Sequence, residues 1–135
     1  AEVGAQYRSC PFFGSHLALQ ASLRAERAPS AAIQQRMTEF SQRRWATQPP
    51  EPSAGCIFKN PLGIPAGKLI EDLGLKGARV GGAVVSEVHA NFIVNDGCAT
   101  ARDILELIGR IQHCAKAARG INLETEVEII GEEPD

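Results

Sequence analysis

The run Pro52-Ser53-Ala54-Gly55-Cys56-Ile57-Phe58-Lys59-Asn60-Pro61 sets a thiol among small residues, with a cation and an amide close behind it. Small side chains leave the backbone approachable, so this loop suits an anionic ligand. An isolated cysteine is also a small hydrophobe, and spacing alone favours that packing role for Cys56. No thiol-protease arrangement accompanies it, since His16, His89 and His113 lie at unrelated places. The four cysteines, Cys10, Cys56, Cys98 and Cys114, lack the paired spacing of a zinc site or a redox motif, and reduced thiols in a cytoplasm are the economical reading. Glu124, Glu126 and Glu128 form one side of an alternating segment, facing either solvent or a cleft; composition favours solvent. Gly77, Gly81 and Gly82 lack the strand-turn-helix setting of a dinucleotide fingerprint.

These groups must be held by regular elements. Leu17, Leu19, Ala21 and Leu23 alternate with His16, Gln20, Ser22 and Arg24, a period of two that predicts a half-buried strand over 16–24. Ile33, Met37 and Phe40 recur at helical spacing, with Ser30 as the expected N-cap and the end near Trp45. Five prolines and two glycines between Gln48 and Pro65 predict a shaped loop with short extended pieces. Pro65 can open a helix through Lys68, Leu69, Ile70 and Leu73 that stops at Gly74 or Gly77.

Ala83 to Glu87 and Asn91 to Asn95 read as a β-hairpin, followed by the turn Asn95-Asp96-Gly97. Thr100 with Asp103 resembles a capping box ahead of the stripe Ile104, Leu107, Ile108, Ile111, Cys114 and Ala115, which closes at Gly120. Leu123, Thr125, Val127 and Ile129 predict a last strand, and the polar tail from Gly131 to Asp135 is expected to fray.

The chain has 135 residues, with 14 Lys+Arg against 16 Asp+Glu, so a net charge of -2 supplies no broad field for nucleic acid or anionic membranes. Its 44% hydrophobic and 22% charged residues are those of an ordinary globular chain with one core, which excludes disordered and collagen-like classes. No apolar run reaches the roughly 20 residues that span a bilayer. The opening residues show no export signal and begin abruptly, as an excised piece would.

Six ordered segments together carry a family resemblance: Pro52 to Pro61, Ala66-Gly-Lys-Leu-Ile-Glu71, Gly74-Leu-Lys-Gly77, Gly81-Gly-Ala83, Ser86-Glu-Val-His-Ala-Asn-Phe-Ile-Val-Asn95 and Leu123-Glu-Thr-Glu-Val127. The series resembles the C-terminal region of the MurB family, the UDP-N-acetylenolpyruvoylglucosamine reductases, and extends from a Tyr7-Arg8 turn to Ile130-Gly131. The resemblance implies an α+β fold, with a small, largely antiparallel sheet and helices packed against it. It also implies that residues 1–28 end a preceding region, that 29–135 form the substrate-binding domain, and that the FAD-binding domains lie outside this chain.

The implied activity is a cytoplasmic oxidoreductase step of peptidoglycan synthesis. UDP-N-acetylglucosamine enolpyruvate is reduced to UDP-N-acetylmuramate, with FAD as cofactor and NADPH as co-substrate. By that resemblance Cys56 occupies the serine-or-cysteine position that donates a proton, and Glu126 matches the glutamate near the last strand. Lys76 and Asn60 match residues at the substrate diphosphate, Tyr7 would contact it, and His89 would line the pocket. Two features depart from the family. Thr47 stands where a lysine often precedes Gln-Pro, with Arg43 or Arg44 as nearby substitutes, and the family's arginine at the reacting carboxylate is not visible. Alone, the chain is expected to bind weakly and reduce nothing. The alternative is a UDP-sugar or protein-binding module without redox activity.

Overall fold

Residues 3–131 are described by the computed structural model, and the chain divides between Ser41 and Gln42 into two compact units. In the first unit Tyr7 and Arg8 are the central residues of a tight turn. It is closed by Gln6 N–H to the Ser9 carbonyl at 2.8 Å and the reverse bond at 3.2 Å. A single 3-10 turn, Pro11–Gly14, follows, and the His16 ring stacks on Phe12 at 4.1 Å.

The strand expected over 16–24 is absent: residues 15–29 adopt no regular element, and Leu17, Leu19 and Leu23 are almost fully exposed. Alternation makes a strand only where a neighbouring strand takes up its hydrogen bonds and a core takes up its apolar side. Among the described residues, nothing pairs with this stretch. The helix α1 spans Ser30–Thr47. Ser30 does not cap it; the Pro29 carbonyl accepts from Ile33 N–H at 3.1 Å, which makes Ser30 the first helical residue. Ile33, Met37 and Phe40 share an exposed side of α1.

The second unit is built on a four-stranded antiparallel sheet in the order β1-β4-β3-β2, with β1 Ser53–Cys56, β2 Arg79–Val80, β3 Ala83–Val85 and β4 Phe92–Asn95. The expected hairpin is therefore present as β3 and β4, paired Val84 to Val94 and Val85 to Ile93. The helix α2, Ala66–Asp72, ends as expected at Gly74, whose φ is +68°. Gly74 N–H donates to Glu71 and Leu75 N–H to Ile70, the paired bonds that close a helix through a left-handed glycine.

The helix α3, Ala101–Arg119, buries Leu107, Ile108, Ile111 and Ala115. With Leu69 and Ile70 of α2, these cover Ala83, Val85 and Ile93 of the sheet and enclose Ile57 and Phe58. This is the α+β arrangement expected. No helix among the described residues is long and apolar enough to cross a membrane.

The last expected strand shrinks to one bridge. Phe58 pairs with Thr125, flanked by Lys59 N–H to the Glu124 carbonyl at 2.9 Å and Glu126 N–H to the Ile57 carbonyl at 2.8 Å. The ladder stops because its partner does: Pro61, close beyond, has no N–H to donate, and the chain bends at Glu126 and Val127. Residues 132–135 of the polar tail lie outside the described residues.

The start of α3 is a capping box. Thr100 Oγ1 accepts from Asp103 N–H at 3.1 Å, and the Asp103 carboxylate accepts from Thr100 N–H at 2.9 Å. These bonds, the backbone one first, hold the Asp103 carboxyl below its ordinary value. A lowered folded-state value contributes stability that is fully present above the ordinary carboxylate range and is lost as pH falls through the folded value. Asp103→Asn is thus expected to lower the melting temperature at neutral pH and to flatten its acid dependence, measured by thermal unfolding from neutral to strongly acid pH. Parallel acid curves for the two proteins would contradict it.

Candidate functional site

A β-bulge places Cys56. Ser53 faces Val94 while Cys56 faces Phe92, so three steps along β1 match two along β4. Gly55, at φ +84°, supplies the left-handed conformation that the extra residue needs. A bulge re-aims the side chain that follows it, and here that side chain is the half-buried thiol of Cys56.

Beyond the bulge the ladder continues through a side chain. Ile57 N–H donates to the Asn91 carbonyl at 2.8 Å. The Asn91 carboxamide then accepts from Phe58 N–H at 3.0 Å and donates to the Phe58 carbonyl at 2.8 Å. Asn91 N–H in turn donates to His89 Nδ1 at 3.1 Å. The turn carrying these residues is held by buried Ser86, whose Oγ accepts from the N–H groups of Val88 and His89 at 3.1 and 3.4 Å.

Cys56, Asn60, Lys76, His89 and Asn91 share a cleft of about 290 Å³ with Gly67, Lys68, Glu71 and the apolar Pro65, Val88 and Ala90. Asn60 Oδ1 accepts from Ala66 N–H at 2.9 Å, so its carboxamide ties the loop after Cys56 to the first turn of α2. Lys76 Nζ lies 2.8 Å from Glu71 Oε1, and Lys68 Nζ 2.7 Å from Asp72 Oδ1. The hydrogen bond from Lys76 and then its charge hold the Glu71 carboxyl below the usual range; the bond to Asp72 raises the Lys68 ammonium. Cations here stand beside a thiol, an imidazole and amide groups, a set suited to an anionic ligand with a polar head.

Four of the six expected site residues, Cys56, Asn60, Lys76 and His89, thus line one cleft. Glu126 does not line it; this half-buried residue is held through its backbone to Ile57, the neighbour of Cys56. Tyr7 belongs to the first unit, where the Arg8 guanidinium lies 5.5 Å from its ring centroid. Arg43 and Arg44 are not among the lining residues. Glu124 lies on the surface, 3.4 Å from Lys59 Nζ, the solvated role that composition favours for it. Among the described residues no cluster of acidic, histidine or cysteine side chains could hold a metal ion, and no two cysteines are joined.

Asn91, Gly67 and Glu71 were not singled out from the sequence for roles of their own. Asn91 carried the clearest signal, a carboxamide between Ala90 and the apolar run Phe92-Ile93-Val94.

The family model of the UDP-N-acetylenolpyruvoylglucosamine reductase C-terminal domain matches residues 48–130. The chain belongs to this family. It is 49% identical to UDP-N-acetylenolpyruvoylglucosamine reductase 2 of Symbiobacterium thermophilum over 98% of this chain and 44% of that protein. It is 47% identical to the Anaeromyxobacter dehalogenans reductase over 99% of this chain and 41% of that one. The crystal structure of the MurB reductase from Thermus caldophilus superposes with a TM-score of 0.62 at 47% identity, over 76% of this chain and 36% of that one. The chain therefore spans less than half the length of these relatives, and its residues 48–130 match their C-terminal MurB domain.

Within this MurB domain the approach of α2 to His89 depends on Gly67. A Cβ there would lie 2.9 Å from His89 Cε1 and 3.6 Å from Asn91 Cβ. Alanine in a helix is worth about 1 kcal/mol over glycine, so the backbone favours the change while the ring must yield. Gly67→Ala is expected to keep a near-native melting temperature and to shift the His89 ring resonances. Unchanged His89 resonances would show that the contact does not constrain the ring.

Proposed function

We propose that this domain is the substrate-binding half of an enzyme that reduces UDP-N-acetylglucosamine enolpyruvate to UDP-N-acetylmuramate, a cytoplasmic step of peptidoglycan synthesis. The observation that carries this reading is the convergence of Cys56, Asn60, Lys76 and His89, from separate stretches of the chain, on one cleft. Saturating the enolpyruvyl double bond takes a hydride at one carbon and a proton at the next, and negative charge builds toward the carboxylate as the hydride arrives. Cys56 supplies the proton. Lys76 and Asn60 hold the diphosphate, with His89 along the wall of the cleft. Glu126 orients or polarises the reacting group.

In the whole enzyme FAD, recharged by NADPH, is the source of hydride. Gly77, Gly81 and Gly82 do not form a phosphate cradle for FAD. A side chain on Gly77, Gly81 or Gly82 would meet Glu87, Asp103 or the Ala99 backbone, so these glycines are covered by the protein's own atoms and offer a cofactor phosphate no seat. We place the FAD-binding domains in the part of the enzyme beyond these residues, and the isolated domain as a weak binder without activity of its own.

The test is Cys56→Ala in the full-length enzyme. Loss of a positioned general acid costs on the order of a hundred- to ten-thousand-fold, so oxidation of reduced flavin by the enolpyruvyl substrate should slow by about that factor. Reduction of the flavin by NADPH should persist, and Cys56→Ser should retain substantial activity. A wild-type rate of substrate-driven oxidation in Cys56→Ala would make the thiol a packing residue.

Lys76→Ala has a different signature. It removes a cation from the diphosphate and leaves the Glu71 carboxylate unpaired in the same cleft. Both changes act on bound ground and transition states alike, so KM should rise while kcat changes little. Steady-state kinetics of the full-length variant decide it, and a kcat loss at unchanged KM would place Lys76 at the reacting carbon instead.

A further inference from the structure

We propose that Asn91 is the positioning residue of the cleft, fixing the Cys56 segment through its side chain and the His89 imidazole through its backbone. This rests on the reading of Cys56 as proton donor and extends it. Asn91 is only 3% exposed and sits among core residues, yet its carboxamide makes both hydrogen bonds that a neighbouring peptide group would make to Phe58. Phe58 is two residues beyond Cys56 and is itself buried. The bulge at Gly55 has just shifted the β1–β4 register, so on the β4 side the segment that follows Cys56 is held by the bonds to Asn91, while Glu124 to Glu126 hold it on the other side.

The second arm of the frame sets a tautomer. A backbone N–H can only donate, so the 3.1 Å contact from Asn91 N–H makes His89 Nδ1 an acceptor and puts the neutral ring's proton on Nε2. Gly67 bounds the ring on the Cε1 edge, and Phe92 packs edge-on against it at 5.0 Å. Thiol and imidazole therefore stand in one rigid frame with Asn91 at its centre. The Nε2–H is a neutral donor for a carbonyl or anionic oxygen of the ligand.

Asn91→Asp in the full-length enzyme tests the frame, because aspartate keeps the size and the acceptor for Phe58 N–H but loses the donor to the Phe58 carbonyl. Alkylation of each cysteine by iodoacetamide, followed by peptide mass spectrometry, supplies internal controls. Cys98 is exposed, and Cys114 on α3 reports loosening of the core. The expected result is a changed Cys56 rate with Cys98 and Cys114 unchanged. Substrate-driven flavin oxidation should slow on the order of ten- to a hundred-fold at little-changed KM, the size of effect that a small misplacement produces.

Parallel acceleration at Cys56 and Cys114 would mean general loosening, and an unchanged Cys56 rate would mean no positioning; either overturns the proposal. Wild-type enzyme labelled with 15N-histidine gives a test independent of the variant's folding: two-bond 1H–15N correlations should show His89 protonated at Nε2, and protonation at Nδ1 overturns it. If Asn91→Asp alters Cys56 alone while Cys56→Ala still turns over normally, the frame stands and the proton-donor reading falls.

Discussion

A carboxamide sealed in an apolar core must have its donor and acceptor satisfied, and a strand that loses its neighbour must find new partners; Asn91 and Phe58 meet both demands with one pair of bonds. Each buried group left without a partner would cost about 1–3 kcal/mol, and truncating Asn91 would strand both the N–H and the C=O of Phe58. The segment from Ile57 to Lys59 is held on its other side by Glu124 to Glu126, so it is the middle strand of a region otherwise too irregular for a regular sheet. The cleft inherits that geometry: Cys56 and Asn60 lie on either side of this segment, and His89 and Asn91 lie on the turn it bonds to.

The chemistry is accordingly placed by departures from regular structure. A bulge presents the thiol, a loop amide bonded to the first turn of α2 fixes Asn60, and a serine-stabilised turn carries His89. Such local irregularities persist only where surrounding packing determines them. That packing comes from regular parts: α2 and α3 covering one side of β3 and β4, with Leu69, Ile70, Leu107 and Ile111 among the fully buried side chains.

This division explains what was legible in the sequence. The helices α2 and α3 and the hairpin of β3 and β4 were readable because periodicity, the Thr100–Asp103 cap and the closing glycines Gly74 and Gly120 all report local physics. The two failed strands, over 16–24 and 123–129, alternate in sequence, but strand formation is a property of the partner: one stretch finds none among the described residues, and the other finds three residues of irregular edge. The bulge was half visible, since Gly55 could be noted as small but its φ of +84° follows from a register shift against residues nearly forty positions away. The pairing of Cys56, Lys76 and His89 in one cleft was reached only through family resemblance. No spacing rule relates residues that three different elements bring together.

The two lysine-carboxylate pairs of the cleft follow from the same logic. Glu71 and Asp72, at the end of α2, hold Lys76 and Lys68, and all four side chains are partly exposed. Pairs this wet add little to folding stability, typically no more than about 1 kcal/mol. Their effect is on where the cations stand. A lysine side chain carries about 2 kcal/mol of rotamer entropy, and a carboxylate 2.8 Å away has already restricted Lys76 before any ligand arrives. The same carboxylate offsets the positive charge, so an anion gains less from attraction at long range than from meeting cations already in place. An anion entering this cleft would therefore be held by short-range fit to the groups that line it, Lys76, Asn60 and His89 among them, and not by a broad positive field, which a chain of net charge -2 does not possess.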